Sequence, residues 1–261
     1  MEHGVTDVRV RPGRDWEEPL GRAGLVAKGI SYALVGVLAI GVALGIGGKE
    51  TSRNGALHSL AGDPFGEIVL GLLAAGFVAY ALWRVLQAVY DDEWTKRLAY
   101  LARAAIYLGL AYSAARILVG AGGGGSQNAK AHKAAAVVLA WPGGPELVGA
   151  AGAALFGVGC WNLYRGLSRK FEDKWRGHST LGTAAGVVGH CARFVVFALI
   201  GVFALKAAVD YNPKDAVGLD GALQKLAHHS YGQLLLGVTA AGLVAYAVYC
   251  LFDARYRNVK A

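Results

Sequence analysis

The chain has 261 residues, of which 55% are hydrophobic and 17% are charged, and its mean hydropathy is +0.39. This composition excludes an ordinary soluble domain and indicates a protein that crosses a membrane several times. The formal net charge of +8 does not indicate nucleic-acid binding, because the cations are scattered and gather at the ends of apolar runs.

Residues 1–19 are polar and of mixed charge, without the apolar core of a cleavable signal peptide, and are predicted to form a short tail outside the membrane. Six mostly apolar segments follow, each near the roughly 20 residues needed to cross about 30 Å of hydrocarbon. The predicted spans are Gly21–Gly47, Gly66–Tyr90, Leu98–Gly120, Glu146–Tyr164, Thr183–Val209 and Gly232–Phe252. The predicted fold class is therefore all-α, a polytopic membrane protein with six transmembrane helices.

Lysine and arginine residues indicate the orientation of these spans. Thirteen of them lie near span ends on the side that holds both termini, and six lie on the other side. Because positive charge is retained on the cytoplasmic side, both termini are expected in the cytoplasm and the protein in the plasma membrane.

A short pattern occurs three times in the chain. The stretches "VAKGISY" (26–32), "LARAAIY" (101–107) and "CARFVVF" (191–197) each have alanine, then a cation, then an aromatic residue four positions later. A second pattern, "ALHSLAGDPFG" (56–66), matches "ALQKLAHHSYG" (222–232), with a looser copy at 134–144. Self-similarity of this kind predicts three copies of a two-helix unit.

The predicted units are a tail at 1–19 and three hairpins at 20–93, 94–175 and 176–261, the last with a short C-terminal tail. Each hairpin starts from the same side, so the copies are parallel repeats around an axis near the membrane normal. A short amphipathic segment is expected before the second helix of each copy, on the outer side. Two arrangements remain open: the hairpins enclose a central cavity, or they pack shut.

The sequence resembles the bacterial integral membrane family catalogued as domain of unknown function 1206, whose members carry this hairpin three times. The resemblance covers residues 20–258 and rests on "GRAGLVAKGISYALVGVLA" (21–39), on the segment 216–257 ending in "ARYR", and on the alanine–cation pairs. The middle copy departs most, with "AWPGGPE" (140–146) where the others have Phe-Gly or Tyr-Gly. The resemblance implies a six-helix membrane fold and no established activity.

The cation row formed by Lys28, Arg103 and Arg193 is the first candidate site. From the predicted span starts, these residues lie about 10 Å into their helices, near the cytoplasmic headgroups. Three interpretations remain open: membrane anchoring by snorkelling side chains, a site for an anion or lipid headgroup, and buried ion pairs. Of possible ion pairs, Arg193 with Asp253 is the best candidate, because only the third copy places opposite charges at matching positions.

Further candidates are side chains that would line the centre of the bundle. They are Tyr32, Tyr107, Trp83, Trp161, Arg84 and Asn162. Glycines at five-residue intervals, such as Gly66, Gly71 and Gly76, predict close contacts between helices.

No cofactor, metal site or catalytic set is expected. Four histidines are predicted in outer loops, but without the convergent spacing of metal ligands: His58, His132, His228 and His229. The spans contain no paired carboxylates or nucleophile motif, so an enzyme is not predicted.

Two functions are compatible with this sequence. In the first, the bundle binds or conducts a small solute, ion or lipid through its pseudo-threefold centre. In the second, it is a structural or accessory subunit that packs against a membrane-protein partner. In both, the lipid bilayer is the immediate partner.

Overall fold

The computed structural model of the chain describes residues 17–44, 64–120, 127–227 and 231–257. Within these ranges the backbone is almost entirely helical, with one isolated antiparallel bridge between Trp175 and Arg257. The predicted tail lies almost wholly outside the described residues, as do the end of the first predicted span and the amphipathic segment of the first copy.

The described residues form eight α-helices. Six of them, all except α4 and α7, are long and apolar enough to cross a membrane, which confirms the predicted all-α, six-span fold class. The helices are α1 (Glu17–Ala43), α2 (Pro64–Tyr90), α3 (Trp94–Leu118), α4 (Gln127–Leu139), α5 (Gly144–Leu167), α6 (Thr180–Val209), α7 (Leu219–Ala227) and α8 (Gly232–Tyr256).

Several helices extend beyond the predicted spans at the end of the bundle where α1 begins and α8 ends, which we call the terminal face. Helix α3 begins at Trp94 and not at Leu98, and α8 ends at Tyr256. Helix α6 begins at Thr180, where the side chain of Ser179 accepts a hydrogen bond from the Gly182 amide at 3.1 Å. Helical hydrogen bonding does not stop where the hydrocarbon stops, whereas the prediction counted apolar residues alone.

The short helices α4 and α7 precede α5 and α8 at the other end of the bundle, which we call the opposite face. Both agree with the short amphipathic segments expected before the second helix of a copy. Repeat 1 therefore consists of α1 and α2, repeat 2 of α3 and α5, and repeat 3 of α6 and α8.

The six long helices pack in an incomplete ring, in the order α3, α2, α1, α8, α6 and α5. The contacts α2–α3, α5–α6 and α8–α1 join neighbouring repeats, and α1–α2 and α6–α8 join the two helices of one repeat. Across the described ranges, α3 and α5 have no extensive interface with each other. The ring still curves around a centre, because Tyr107 on α3 and Arg193 on α6 are close enough to interact electrostatically. The ring is thus open at the middle repeat.

Glycines allow the closest helix contacts, though at only some of the predicted positions. Gly152, Gly159 and Gly166 lie seven residues apart on one face of α5, and a Cβ added to Gly152 would lie 2.8 Å from the Leu205 amide nitrogen of α6. Gly76 packs against α1, as predicted, but Gly71 has no atom within 4 Å of an added Cβ, so the predicted contact there is wrong. Backbone-to-backbone contact through small residues is how membrane helices pack closely without a hydrophobic driving force.

Candidate functional site

The three members of the cation row lie well inside their helices. Lys28 is 11 residues after the start of α1, Arg103 is 9 after the start of α3, and Arg193 is 13 after the start of α6. At 1.5 Å per residue these positions are about 17, 14 and 20 Å along their helices. The predicted depth of about 10 Å was counted from the apolar spans, which begin three to four residues after the helices, and it stays a prediction.

Two members of the row converge on one hydroxyl group. Lys28 Nζ donates to the hydroxyl of Tyr246 at 2.8 Å, and the Arg193 guanidinium donates to the same oxygen at 2.6 Å. Both cations also lie over the Tyr246 ring, at 5.0 and 4.6 Å from its centroid. Tyr32 packs edge-on against Tyr246 at a centroid distance of 4.8 Å and is itself 5.7 Å from the Arg193 guanidinium. Lys28 and Arg193 therefore face the bundle interior and not lipid.

Arg103 does not join this pair. Its side chain is exposed, its guanidinium lies 5.9 Å from the Tyr100 ring, and the positive charges of Arg84 and Arg165 both act on it. Arg165 lies on α5, so its effect on Arg103 acts across the opening between α3 and α5.

A second tyrosine-centred cluster surrounds Arg84. Its guanidinium donates to the hydroxyl of Tyr80 and to Gln87 Oε1 at 2.6 Å, and it lies 4.4 Å from the Trp83 ring centroid. Tyr107 packs against Tyr80 at 4.3 Å between ring centroids. Tyr80 in repeat 1 and Tyr246 in repeat 3 occupy the same repeat position, and both hydroxyls accept from a cation. The sources differ, because Arg84 lies on the same helix as Tyr80, whereas Lys28 and Arg193 reach Tyr246 from two other helices.

Two arginine nitrogens in these clusters have no hydrogen-bond partner. The Nε atoms of Arg84 and Arg193 are both buried, and neither contacts an acceptor among the described residues. Arg84 is only 6% exposed. Buried donors are nearly always satisfied, so each of these Nε atoms lacks the acceptor that a buried donor normally has.

The predicted ion pair between Arg193 and Asp253 does not form. Asp253 instead accepts hydrogen bonds from Arg257 at 2.7 Å and from the Trp175 indole nitrogen at 2.9 Å. Asp253 lies seven residues beyond Tyr246 on α8, about 10 Å farther towards the terminal face, so a guanidinium on Tyr246 cannot reach it. The Asp253–Arg257 pair and Trp175 escaped the sequence analysis because they belong to a loop and a helix end outside the predicted spans.

Positive charge accumulates where this network meets the terminal face. Lys174 lies in the loop before α6, and the charges of Arg257, Arg165, Arg84 and Arg103 all act on it. Loss of hydration is the largest cause of the lowered pKa of Lys174, and repulsion by the four arginines lowers it further. Arg257 is different: burial is the largest single effect and would lower its pKa, but Asp253, Tyr249 and Tyr80 together raise it. The carboxylate within the cluster is thus already engaged.

We call this set of cations, which extends from Tyr246 to the terminal face, the cationic vestibule. It consists of Lys28, Arg84, Arg103, Arg165, Lys174, Arg193 and Arg257.

The predicted lining residues divide into two groups. Tyr32, Tyr107, Trp83 and Arg84 are buried in the interior described above. Asn162 is also buried, but its amide nitrogen donates to the Val158 carbonyl of its own helix at 2.7 Å. Trp161 is 58% exposed and packs only against Tyr164 among aromatic side chains of the described residues, at 5.5 Å. Its exposure follows from the missing α3–α5 interface.

Of the predicted outer histidines, His58, His228 and His229 lie outside the described residues. His190, inside α6, is fully buried against Phe171 and has its Nδ1 atom 2.7 Å from the Gly186 carbonyl oxygen. A carbonyl can only accept, so Nδ1 carries the proton and the imidazole is held as a packed, hydrogen-bonded ring.

The three repeats are also found by comparison with known families. The chain matches the profile of the family Domain of Unknown Function (DUF1206) three times, over residues 23–91, 98–169 and 188–257. The chain belongs to the DUF1206 family. Each matched segment contains the two long helices of one repeat, so the DUF1206 unit is the predicted two-helix unit.

One DUF1206 relative is similar along nearly its full length. The chain is 31% identical over 260 residues to the uncharacterized protein YxxB of Bacillus subtilis (strain 168), an alignment that covers 94% of this chain and 93% of the relative. No solved structure matches the chain. The comparisons therefore identify the family and assign no activity to it.

Proposed function

We propose that this DUF1206 protein binds a small anion, or the phosphate of an anionic ligand, in the cationic vestibule. The observation that carries the proposal is the accumulation of positive charge at the terminal face. The charges of four arginines act on Lys174: Arg257, Arg165, Arg84 and Arg103. The Asp253 carboxylate in this region already bonds Arg257 and Trp175 through its two oxygens. Like charges held this close repel one another, and desolvation adds to the cost. A bound anion would offset both effects.

The unpaired arginine nitrogens support the same proposal. Arg84 and Arg193 each use their terminal nitrogens on tyrosine or glutamine and leave Nε without an acceptor. Phosphate and carboxylate groups match the fork of donors that a guanidinium presents. Tyrosine rings would complete the site as walls that hold the cations in place without neutralising them.

Binding is favoured over conduction through the bundle. On the side of the cation row towards the opposite face, the inward positions of α1 and α3 carry Val35, Ala39, Leu110 and Ala114, all of them buried and apolar. A hydrated path for an anion needs polar groups along its length, and these positions supply none.

The terminal face is proposed to be the cytoplasmic side of a bacterial plasma membrane. It carries the larger share of lysine and arginine at the span ends, as the positive-inside rule requires of cytoplasmic loops. An anion would then reach the vestibule from the cytoplasm or from the inner leaflet.

Chemical modification of two lysines in one loop tests the proposal on the wild-type protein. Lys174 lies in the vestibule and has a lowered pKa, whereas a hydrogen bond with Tyr164 is the largest cause of the raised pKa of Lys170. In phosphatidylcholine nanodiscs, an amine-reactive reagent should therefore modify Lys174 faster than Lys170 near neutral pH, because only the neutral amine reacts. Inorganic phosphate should slow the reaction at Lys174 by neutralising the cluster and raising its pKa.

The control is sodium chloride at matched ionic strength, because a monatomic anion cannot accept from both arms of a guanidinium; both lysines are quantified by mass spectrometry. Protection of Lys174 by phosphate, with Lys170 unchanged, is the expected result. Equal effects of phosphate and chloride, or equal effects on the two lysines, would contradict the site.

A further inference from the structure

The opening between α3 and α5 exposes a face that is buried in the other two repeats. In repeat 1 the second helix buries Leu73, Tyr80 and Trp83, and repeat 3 buries Thr239, Tyr246 and Tyr249 at the same positions. The matching residues of α5 are exposed: Ala151, Val158 and Trp161. The first helix of the middle repeat shows the same difference, because Ala102 and Ile106 of α3 are exposed as well.

Three substitutions in the middle repeat give this opening a cause in the sequence. In repeat 1, Gly76 packs directly on Ala27, and in repeat 3, Gly242 packs directly on Ala192; an added Cβ would overlap the alanine methyl in both. The matching residue in the middle repeat is Ala154. It already carries that Cβ, so α5 cannot approach α3 as closely as its counterparts approach their partners.

A second small-residue contact is missing from the same place. In repeats 1 and 3 a glycine lies under the tyrosine of the cation cluster, with Gly24 against Tyr80 and Gly189 against Tyr246. The middle repeat has Ala99 and Val158 at these two positions. The glycine and the tyrosine that would join the two helices are therefore both absent from the middle copy.

The opening is a groove, which we define by Ala102, Ile106 and Gly109 on α3 and by Ala151, Ala154, Val158 and Trp161 on α5. Its walls are apolar, and an added Cβ at Gly109 would meet no atom within 4 Å. At the end nearer the terminal face it meets Arg103 and Arg165, whose charges act on each other across it. Arg165 is two residues from the end of α5, which places it near the headgroup level.

We propose that this groove is a lateral binding site for an anionic phospholipid, which enters the cationic vestibule from the bilayer. The inference rests on the proposed anion site and names its ligand. The acyl chain lies along the apolar walls, and the phosphate lies between Arg103 and Arg165, next to Lys174. A free anion would use the arginines but not the apolar walls, and a helix from a partner would satisfy the arginines only if it carried an acidic residue at their level.

Trp161 makes the groove directly observable. Bromine on a lipid acyl chain quenches tryptophan fluorescence only at short range, and the contribution of Trp161 is the difference between wild type and Trp161→Phe. Nanodiscs of phosphatidylcholine would contain a varied fraction of lipid brominated near the headgroup end of its chain, as phosphatidylglycerol in one series and as phosphatidylcholine in the other. Two arginines facing the headgroup should lower the half-quenching fraction of the anionic lipid about thirtyfold.

Variants of the two arginines, with a matched control, test whether these arginines cause the preference for the anionic lipid. Arg103→Gln with Arg165→Gln should remove the preference, and the charge-conserving Arg103→Lys with Arg165→Lys should keep most of it. Arg97→Gln, also an exposed arginine of α3 but outside the vestibule, should leave it unchanged. Circular dichroism would verify that each variant keeps its helices.

Two results would overturn the inference. Equal quenching by the two brominated lipids would make the groove ordinary lipid-facing surface, and no quenching of Trp161 by either would mean that protein fills it. In both cases the protection of Lys174 by phosphate remains a separate measurement: if it persists, only the lipid assignment fails, and if it is also absent, the anion site fails with it.

Discussion

Replacing Tyr246 by phenylalanine isolates the interaction that holds the deepest cations. The substitution removes one oxygen, which accepts from Lys28 at 2.8 Å and from Arg193 at 2.6 Å, and it keeps the ring that both cations face. Tyr80→Phe is the matched control, because Tyr80 occupies the same repeat position and its hydroxyl accepts from Arg84. We expect Tyr246→Phe to be about twice as destabilising as Tyr80→Phe, because it removes two hydrogen bonds and not one.

The magnitude follows from the number and setting of the bonds. Hydrogen bonds measured inside membrane proteins contribute about 0.6 kcal/mol on average and up to about 1.7 kcal/mol, so two of them contribute about 1.2–3.4 kcal/mol. Bonds to charged donors fall in the upper part of such ranges, but Lys28 and Arg193 are half-buried and retain some access to water. We therefore expect Tyr246→Phe to lower the free energy of unfolding by about 2 kcal/mol, and Tyr80→Phe by about 1 kcal/mol.

Unfolding by sodium dodecyl sulfate in mixed micelles, followed by circular dichroism, measures these differences. All three proteins should reach the same unfolded baseline, so that their midpoints can be compared. If Tyr246→Phe unfolds at the wild-type midpoint, or at the same midpoint as Tyr80→Phe, the hydroxyl does not organise the two cations and the geometry of the vestibule is wrong.

Two further substitutions test the packing around the site by the same unfolding measurement. Asp253→Asn removes the charge that faces the nearly buried guanidinium of Arg257. It should lower the free energy of unfolding by about 3 kcal/mol, the lower end for an uncompensated buried ion. A loss below about 1 kcal/mol would mean that the arginine reaches water. Gly76→Ala adds a methyl group onto Ala27 and should cost about 1–3 kcal/mol, whereas Gly71→Ala on the same helix meets no atom within 4 Å and should be neutral or slightly stabilising. Equal effects of the two glycine substitutions would contradict the close α1–α2 contact.

The features of this protein that could be predicted are those that produce a periodic pattern in the sequence. Runs of apolar residues predict the six spans, since the bilayer requires about 20 such residues whatever the neighbours are. The threefold pattern around Lys28, Arg103 and Arg193 predicts the repeats, and with them which positions are equivalent. At the terminal face, five of the six predicted ends are three or four residues short, because helices continue past the hydrocarbon into polar residues that have no such pattern.

Side-chain partners were not predictable, because equivalence in a repeat does not imply equivalent surroundings. Arg103 aligns with Lys28 and Arg193 but faces an opening, whereas the other two share a tyrosine from α8. Trp161 aligns with the buried Trp83 and is exposed. Asp253 was assigned to Arg193 by charge alone, and it is bonded to Arg257 because a distance of about 10 Å along one helix separates it from Tyr246.

The sequence by itself determined the all-α class, the six spans, the three repeats and the presence of a cation in the first helix of each. Those properties depend on composition and on local periodicity, which a single chain displays in full. Only the tertiary structure decided that two of the three cations meet at Tyr246, and that the ring is open between α3 and α5. These features depend on how closely two helix backbones approach, and at that contact the middle repeat carries Ala154 where the other two repeats have glycine.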